Sequence, residues 1–369
     1  MSLLVSPLNS LHLELGAKMG PFAGYSMPIW YPEKIIAEHN HTRTQASLFD
    51  ISHMGQFSVV GADAARVLEA LIPTDLMELP SGKMKYCCLT NNQGGILDDL
   101  IASKLGADYF VVVNAACKQQ DLKHLRENVA ASSIVEHSEN ALLALQGPKA
   151  EQVLAAFNPD IAELEFLTID KFDLNGVSCT VSRSGYTGED GFEISVAARN
   201  AEELVRKLLK QPGVKPAGLG ARDSLRLEAG LRLYGQDMDT ATTPVEAGIH
   251  WTIPKVRRLG GEREGGFPGA DVILKQLDQG PTRRLVGLRL HTKVLARRDT
   301  KILSADGTQI GIVTSGMLTP TVQIPIALGY VELSQASVGT TVNLEVRKSL
   351  VSAEVVRLPF VRHQYRTVA

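Results

Sequence analysis

Residues 56–136 and 141–210 spell out nearly the same order of strands and helices, and that repetition restricts the fold more than any other feature. In the first copy a strand at 56–60 precedes a helix at 62–71, with Val67, Leu68 and Leu71 on one face. Strands at 84–90 and 96–103 follow, joined by Asn91-Asn92-Gln93-Gly94-Gly95, residues that suit a tight turn. A strand at 109–114, a helix at 118–128 and a strand near Ile134 complete it. The second copy runs from a strand at 141–146 through a helix opened by Pro148 to strands at 172–175, 179–183 and 192–196. A helix at 201–210 closes it. Helices covering an antiparallel, ferredoxin-like sheet account for each copy.

The flanks are different. A helix at 11–18, a loop rich in aromatics and prolines and a helical stretch at 33–45 lead in, and a charged helix covers 221–230. Residues 251–269, rich in Gly, Arg and Lys, form a connection. Short strands with glycine turns over 284–362 suit a small β-barrel or sandwich. The expected class is α+β in three lobes: 1–54 with 140–250, 55–139, and a C-terminal barrel at 284–369, with 251–283 connecting them.

Composition narrows the function. With 369 residues, 44% of them hydrophobic, the chain fills two or three cores rather than one. A net charge of -2 argues against a nucleic-acid partner. No apolar run approaches the roughly 20 residues of a membrane span, and residues 1–10 carry neither a signal peptide nor an Arg-rich transit sequence, so a cytoplasmic or already processed protein is expected. The four cysteines, Cys87, Cys88, Cys117 and Cys179, lack CxxC spacing and read as small buried hydrophobes rather than metal ligands. His39 and His41 do not share a helix face and read as solvated, and His53 reads as structural. HExxH, GxSxG and P-loop motifs are absent.

Three segments carry chemistry. In Asn92-Gln93-Gly94-Gly95-Ile96-Leu97-Asp98-Asp99-Leu100, two carboxylates lie inside an apolar strand. That placement is costly unless each finds water, a donor or a substrate. They point to opposite faces and form no dyad with each other; capping of the adjacent turn is an equal alternative. In Ser184-Gly185-Tyr186-Thr187-Gly188-Glu189-Asp190-Gly191-Phe192-Glu193, three glycines allow a tight backbone and close approach of a flat ligand. A carboxylate such as Glu193 accepts two parallel hydrogen bonds, as a pterin or guanine edge requires; a solvated hairpin is the plainer alternative. In Gly218–Gly230, Arg222 and Arg226 share a helix face with Asp223 and Glu228 nearby. They suit either an anionic or carbonyl-bearing ligand or a surface ion-pair network.

Taken together and in this order, the segments resemble the aminomethyltransferase family, the T-proteins of glycine cleavage systems, along nearly the whole chain. The matching stretches include Phe22-Ala23-Gly24-Tyr25 with Met27-Pro28, 49–54, 94–100, Val113-Asn114-Ala115, Leu145-Gln146-Gly147-Pro148, 185–193, 218–227, 233–239, Thr314-Ser315-Gly316 and Pro359-Phe360-Val361. Tyr25 stands where many members have Trp, and 255–266 is longer and more basic than in some relatives. Its Lys255, Arg257, Arg258 and Arg263 suit either attraction of an acidic carrier protein or a solvated loop.

The resemblance implies a three-domain cloverleaf with tetrahydrofolate at its centre, and no metal. It implies transfer of an aminomethyl carbon from the dihydrolipoyl arm of an H-protein to tetrahydrofolate, by a monomer that docks the H-protein transiently, with no nucleic acid or membrane involved. By motif, Asp99 is implied as the catalytic acid near folate N5 and N10, Glu193 as the partner of the pterin edge, and Arg222 and Tyr186 as further folate contacts. Met54, Tyr86, Val113, Asn114 and Tyr234 are implied to line the pocket, Tyr365 to close it, and Arg297 to meet the lipoyl arm or the H-protein. A folate-dependent demethylase of the same superfamily is the nearest alternative. A non-enzymatic iron–sulfur assembly helper is disfavoured, because 231–237 lacks that group's cysteine signature.

Overall fold

A computed structural model describes residues 2–128, 130 and 133–367. The N-terminal part holds β1 (Leu4–Val5), α1 (Asn9–Glu14), β2 (Lys18–Phe22), β3 (Tyr25–Trp30), α2 (Lys34–Thr44) and β4 (Ala46–Asp50). One expectation fails here. The aromatic and proline-rich stretch read as a loop is the β2–β3 hairpin, whose prolines and mixed polar residues erase the alternation by which a strand is recognised. Residues 46–50, just beyond the expected helix, are a buried strand.

The first repeat contains β5 (Gly55–Val59), α3 (Ala64–Glu69), β6 (Met84–Thr90), β7 (Ile96–Leu105), β8 (Asp108–Val113), α4 (Lys118–Asn128) and β9 (Ile134–Glu136). Its five described strands form an antiparallel sheet in the order β6-β7-β8-β5-β9. The second contains β10 (Asn140–Gln146), α5 (Ala150–Ala155), β11 (Thr168–Asp173), β12 (Ser178–Arg183), β13 (Gly191–Ala197), α6 (Ala198–Leu209), β14 (Val214–Pro216) and α7 (Leu219–Glu228). Here β4 joins as the fifth strand of the order β11-β12-β13-β10-β4-β14. Strand β11 starts four residues before the expected 172, because Asp170 and Lys171 on this edge strand hide its pattern.

The connection at 251–283 is only partly irregular. Ala270–Gln279 form a helix, α8, between Gly269 and Gly280, with Ile273 and Leu274 buried. After it, β15 (Arg283–Leu290), β16 (Lys301–Leu303), β17 (Gln309–Leu318), β18 (Pro325–Glu332), β19 (Thr341–Val346) and β20 (Ser349–Val356) close into a barrel. The α+β class and the barrel agree with expectation.

Strand alternation decides what faces the site. Phe192, Ile194 and Val196 of β13 enter the core beneath α5 and α6, which turns Glu193 and Ser195 to the other face. Leu100 and Ala102 of β7 enter the core under α3 and α4, which turns Asp99, Ile101 and Ser103 outward. Those two outer faces meet. Ile101, Ser103, Phe110 and Val112 from one sheet and Thr180, Ser182, Glu193 and Ser195 from the other line one small cavity between them.

Candidate active site

The Asn91–Gly95 turn caps itself. Asn91 Oδ1 accepts from the backbone N–H of Gln93 and Gly95, each at 2.9 Å, so Asp98 and Asp99 are free of capping. Asp98 is fully buried and accepts from Asn114 through its backbone N–H at 3.0 Å and Nδ2 at 2.9 Å. The same Asn114 amide donates to Asp99 Oδ1 at 2.8 Å. Asn114 therefore bridges two carboxylates that point to opposite faces of one strand.

Burial pushes the Asp99 carboxyl up to about 7, and the neighbouring charge of Asp98 adds to it, against hydrogen bonds from Tyr86 and Asn114. Tyr86 lies diagonally across the ladder, since Asp99 pairs with Cys88, and it sits on the same face. Its ring stacks on Trp251 at 5.8 Å. Trp251 is 61% exposed, an unusual setting for so large an apolar ring at a site's edge.

Facing this group, Glu193 accepts from Ser184 Oγ at 3.0 Å and has a further acceptor site free. Arg222, on the first turn of α7, lies with its guanidinium 5.0 Å from the Tyr186 ring centre. Its Nη1 is buried without a partner. Burial lowers its basicity, and the charge of Glu193 opposes that. Tyr186 is tied to the Arg232 carbonyl. Arg226, one turn along, is spent on structure: it donates to Asp223 at 2.8 Å and Asp237 at 2.7 Å. The ion-pair alternative thus fails for Arg222 and holds for Arg226, whose guanidinium is buried in its pairs with Asp223 and Asp237 rather than on the surface.

The glycines of 185–191 serve the protein more than a ligand. A Cβ on Gly185 would lie 1.9 Å from Gln146 Oε1, and one on Gly191 2.6 Å from Gln146 Nε2. Gln146 in turn donates to the carbonyl of Ser184 at 3.0 Å. Those glycines make room for a buried amide that shapes the loop.

The remaining expected residues divide. Tyr234 donates to the Ile96 carbonyl at 3.1 Å and packs with Tyr86 around Cys88 and Ile96. Met54 packs on the cluster of Phe49, Ile51 and Leu225. The Val113 side chain is fully buried in the core under α3 and α4, and alternation gives Val112 to the inter-sheet face. Tyr365 stacks on Phe166 at 4.0 Å and lies tilted against His363 at 4.7 Å, so its ring contacts are with the segment before β11 and with the C-terminal residues rather than with the group around Asp99. Arg297 is exposed, and the neighbouring Arg298 instead reaches the Gly235 carbonyl at 3.0 Å.

Several residues escaped the sequence reading. His53 is buried with Nδ1 unpartnered, and burial pushes it down to about 4. Lys118 holds the adjacent loop through the Tyr25 hydroxyl at 2.5 Å and the His53 carbonyl at 3.1 Å. Arg232 donates to the carbonyls of Ala247 and Gly230 and acts electrostatically on Tyr86 and Tyr186. Its signal was present as a lone cation between Leu231 and Leu233. His39 is fully buried rather than solvated, bonded to Ser224 at 2.7 Å, and His41 meets the Gly213 carbonyl at 3.0 Å. The basic segment is also mostly committed. Arg257 and Arg263 pair with Glu69 and Asp75, and Arg258 donates to the carbonyls of Ile253 and His250. All four cysteines are free and buried. Among the described residues, no group of three or more His, Cys, Asp or Glu is arranged to hold a metal, and no helix is long and apolar enough to cross a membrane.

Comparison with known proteins accounts for this arrangement. The GCVT N-terminal domain matches residues 8–257, and the glycine cleavage T-protein C-terminal barrel domain matches 283–362. The mitochondrial aminomethyltransferase of Dictyostelium discoideum is 42% identical, over 97% of this chain and 93% of its own length. The mitochondrial aminomethyltransferase of Homo sapiens is 44% identical, over 98% and 91%. The crystal structure of the glycine cleavage system aminomethyltransferase T from Bartonella henselae superposes with a TM-score of 0.93 at 40% identity, covering 99% of this chain and 100% of that one. The chain therefore belongs to the aminomethyltransferase family, the T-proteins of the glycine cleavage system.

Proposed function

We propose that this enzyme moves the methylene carbon of an aminomethyl-dihydrolipoyl H-protein onto tetrahydrofolate, with Asp99 as its catalytic carboxylate. The carbon leaves sulfur and nitrogen for N5 and N10 of the folate, and methylenetetrahydrofolate, ammonia and dihydrolipoyl H-protein result. Tetrahydrofolate supplies the nucleophile, so the protein supplies position and charge. The observation that carries the reading is the opposition across the two sheets. On one side is a half-buried carboxylate poised at about 7; on the other are Glu193 with a free acceptor site and Arg222 Nη1 without a partner.

The residues fit a folate. Glu193 accepts from the ring N–H and amino group of the pterin, and Arg222 offers its free donor to a carbonyl or carboxylate. Asp99, held by Asn114 and Tyr86, manages a proton at N10 and steadies positive charge developing on the transferred carbon. Trp251, from the 250–252 turn, and Tyr86 of β6 form an aromatic rim beside Asp99. The lobes at 1–54 with 140–250, 55–139 and 284–369 are its structural units. A monomer with transient H-protein docking suits a site served by a swinging lipoyl arm. The relatives above are mitochondrial by name, which favours a mitochondrial over the expected cytoplasmic location.

A coupled assay with tetrahydrofolate and aminomethyl-loaded H-protein tests the reading. Methylenetetrahydrofolate and ammonia are expected in equal amounts, and only with both substrates present. Folate binding without either product would leave a folate-binding relative that uses another donor.

Glu193→Gln replaces one acceptor oxygen by a donor facing the donors of the pterin. Loss of a charge-assisted hydrogen bond is worth about 1.5–3 kcal/mol, so tetrahydrofolate should bind roughly 10- to 100-fold more weakly. Titration calorimetry would show this, while turnover at saturating folate changes little. An unaltered Kd would place the pterin edge elsewhere.

A further inference from the structure

Behind Asp99, on the opposite face of β7, lies a second acidic contact that the chemistry above does not use. Asp121 is on the first turn of α4, fully buried, and both its carboxyl oxygens are without a hydrogen-bond donor. The carboxyl nearest to it is that of Asp98, also fully buried. The other titratable groups facing Asp121 are Asp99 from β7, Cys117 just before α4 and Tyr234 from the 231–239 loop; none of them is a cation.

Two ionised carboxylates cannot both persist in such surroundings, since neither is exposed to solvent and no positive charge offsets them. Asp98 has two of its acceptor positions taken by the Asn114 backbone N–H and Nδ2. What remains faces Asp121. One proton between the two carboxyls supplies the donor that Asp121 lacks and the further partner that Asp98 can accept. It also leaves a single negative charge on the pair, enough to keep Asn114 Nδ2 turned toward Asp98. The second hydrogen of that amide then points at Asp99 Oδ1, where it is found at 2.8 Å.

We propose that Asp121 is a positioning residue for the transfer reaction: it shares a proton with Asp98, and through Asn114 the pair fixes the orientation of the Asp99 carboxyl. The role rests on the reading of Asp99 given above. No proton leaves the pair during turnover. Burial and the charge of Asp98 push Asp121 up to about 10, which keeps the proton in place across the working range.

Two variants separate this role from simple packing. Asp121→Asn keeps a donor toward Asp98 and leaves the same single charge. Asp121→Leu removes the donor, so the desolvated Asp98 takes the proton itself. Infrared difference spectra at about pH 9, above the Asp99 value, should show a protonated carboxyl in the wild type that Asp121→Asn lacks. Turnover should stay near wild type in Asp121→Asn and fall by about tenfold or more in Asp121→Leu, with the KM for folate unchanged. The acid limb of the Asp121→Leu profile should move to lower pH, because a neutral Asp98 no longer opposes ionisation of Asp99.

Absence of the protonated carboxyl in the wild type overturns the proposal, and so does equal loss of turnover in both variants. If Asp121→Leu does not fold, the spectra of wild type and Asp121→Asn decide alone. Should Asp99→Asn retain full turnover, the catalytic reading of Asp99 fails. The spectra would then still report whether the shared proton exists.

Discussion

Asp99→Asn is expected to lower turnover by roughly a hundred- to ten-thousand-fold while leaving tetrahydrofolate affinity close to that of the wild type. The substitution is nearly isosteric, and the Asn114 amide retains an oxygen to donate to. What disappears is the negative charge and the ability to take up a proton in a half-buried site. Binding should survive, because the groups argued to hold the pterin, Glu193 and Arg222, lie on β13 and α7 rather than on β7. Equal losses in turnover and affinity would instead make Asp99 a binding residue.

The same carboxyl predicts the wild-type pH profile. Asp99 acts when ionised, so kcat/KM should rise with pH through about 7. The sign for stability is opposite. The folded value of about 7 lies above the 3.8 of an unperturbed carboxyl, so the fold gains by keeping Asp99 protonated. That gain is fully present below about 4 and is lost as pH rises through 7. Catalysis and stability therefore pull apart at this residue, and Asp99→Asn should unfold at a higher temperature than the wild type at pH 8.

Much of the site was legible because its signals are local. Two carboxylates in an apolar strand demand partners, and alternation alone sends them to opposite faces; both inferences hold in the structure. The barrel and the repeated sheet-and-helix order were legible for the same reason, as each follows from periodicity within a few residues. What sequence did not reveal depends on contacts between distant segments. His39 looked solvated because it shares no helix face with His41, yet it is sealed between Ser224 of α7 and Thr321 of the barrel. Val113 was expected in the pocket by motif, but strand alternation assigns the inter-sheet face to Val112. Arg257 and Arg263 looked available to a partner, and only the folded chain brings Glu69 and Asp75 to them. Local chemistry survives in a sequence; pairing at a distance of a hundred residues does not.

The largest loss of stability is expected from Glu228→Ala, at the last turn of α7. Its side chain is fully buried. Oε2 accepts from Arg43 at 2.8 Å and lies 3.2 Å from His39 Nε2. Oε1 accepts from the backbone N–H of Thr321 at 2.9 Å and Val322 at 3.3 Å. Burial alone would raise this carboxyl, but hydrogen bonds from His39, Arg43 and Thr321 overcome it and hold Glu228 at about 2. One carboxylate thus joins α2, α7 and the barrel loop that follows β17, while its own backbone carbonyl receives the Val361 N–H at 2.9 Å. Truncation leaves a buried guanidinium with only Glu189 and the Thr187 carbonyl, and it orphans two backbone donors. Removing one partner of a buried pair costs about 3–5 kcal/mol, which for a protein of this size lowers the melting midpoint by roughly 4–6 °C. Glu228→Gln, which keeps an acceptor for the barrel loop, should lose about half as much. Because the folded value lies below the 4.5 of an unperturbed glutamate, this stabilisation is present above about pH 4.5 and fades as pH falls toward 2. The deficit of the alanine variant against wild type should therefore narrow in acid when both are followed by thermal denaturation across pH. A deficit that stays constant with pH would mean that packing, rather than charge, ties the barrel to the folate-facing lobes.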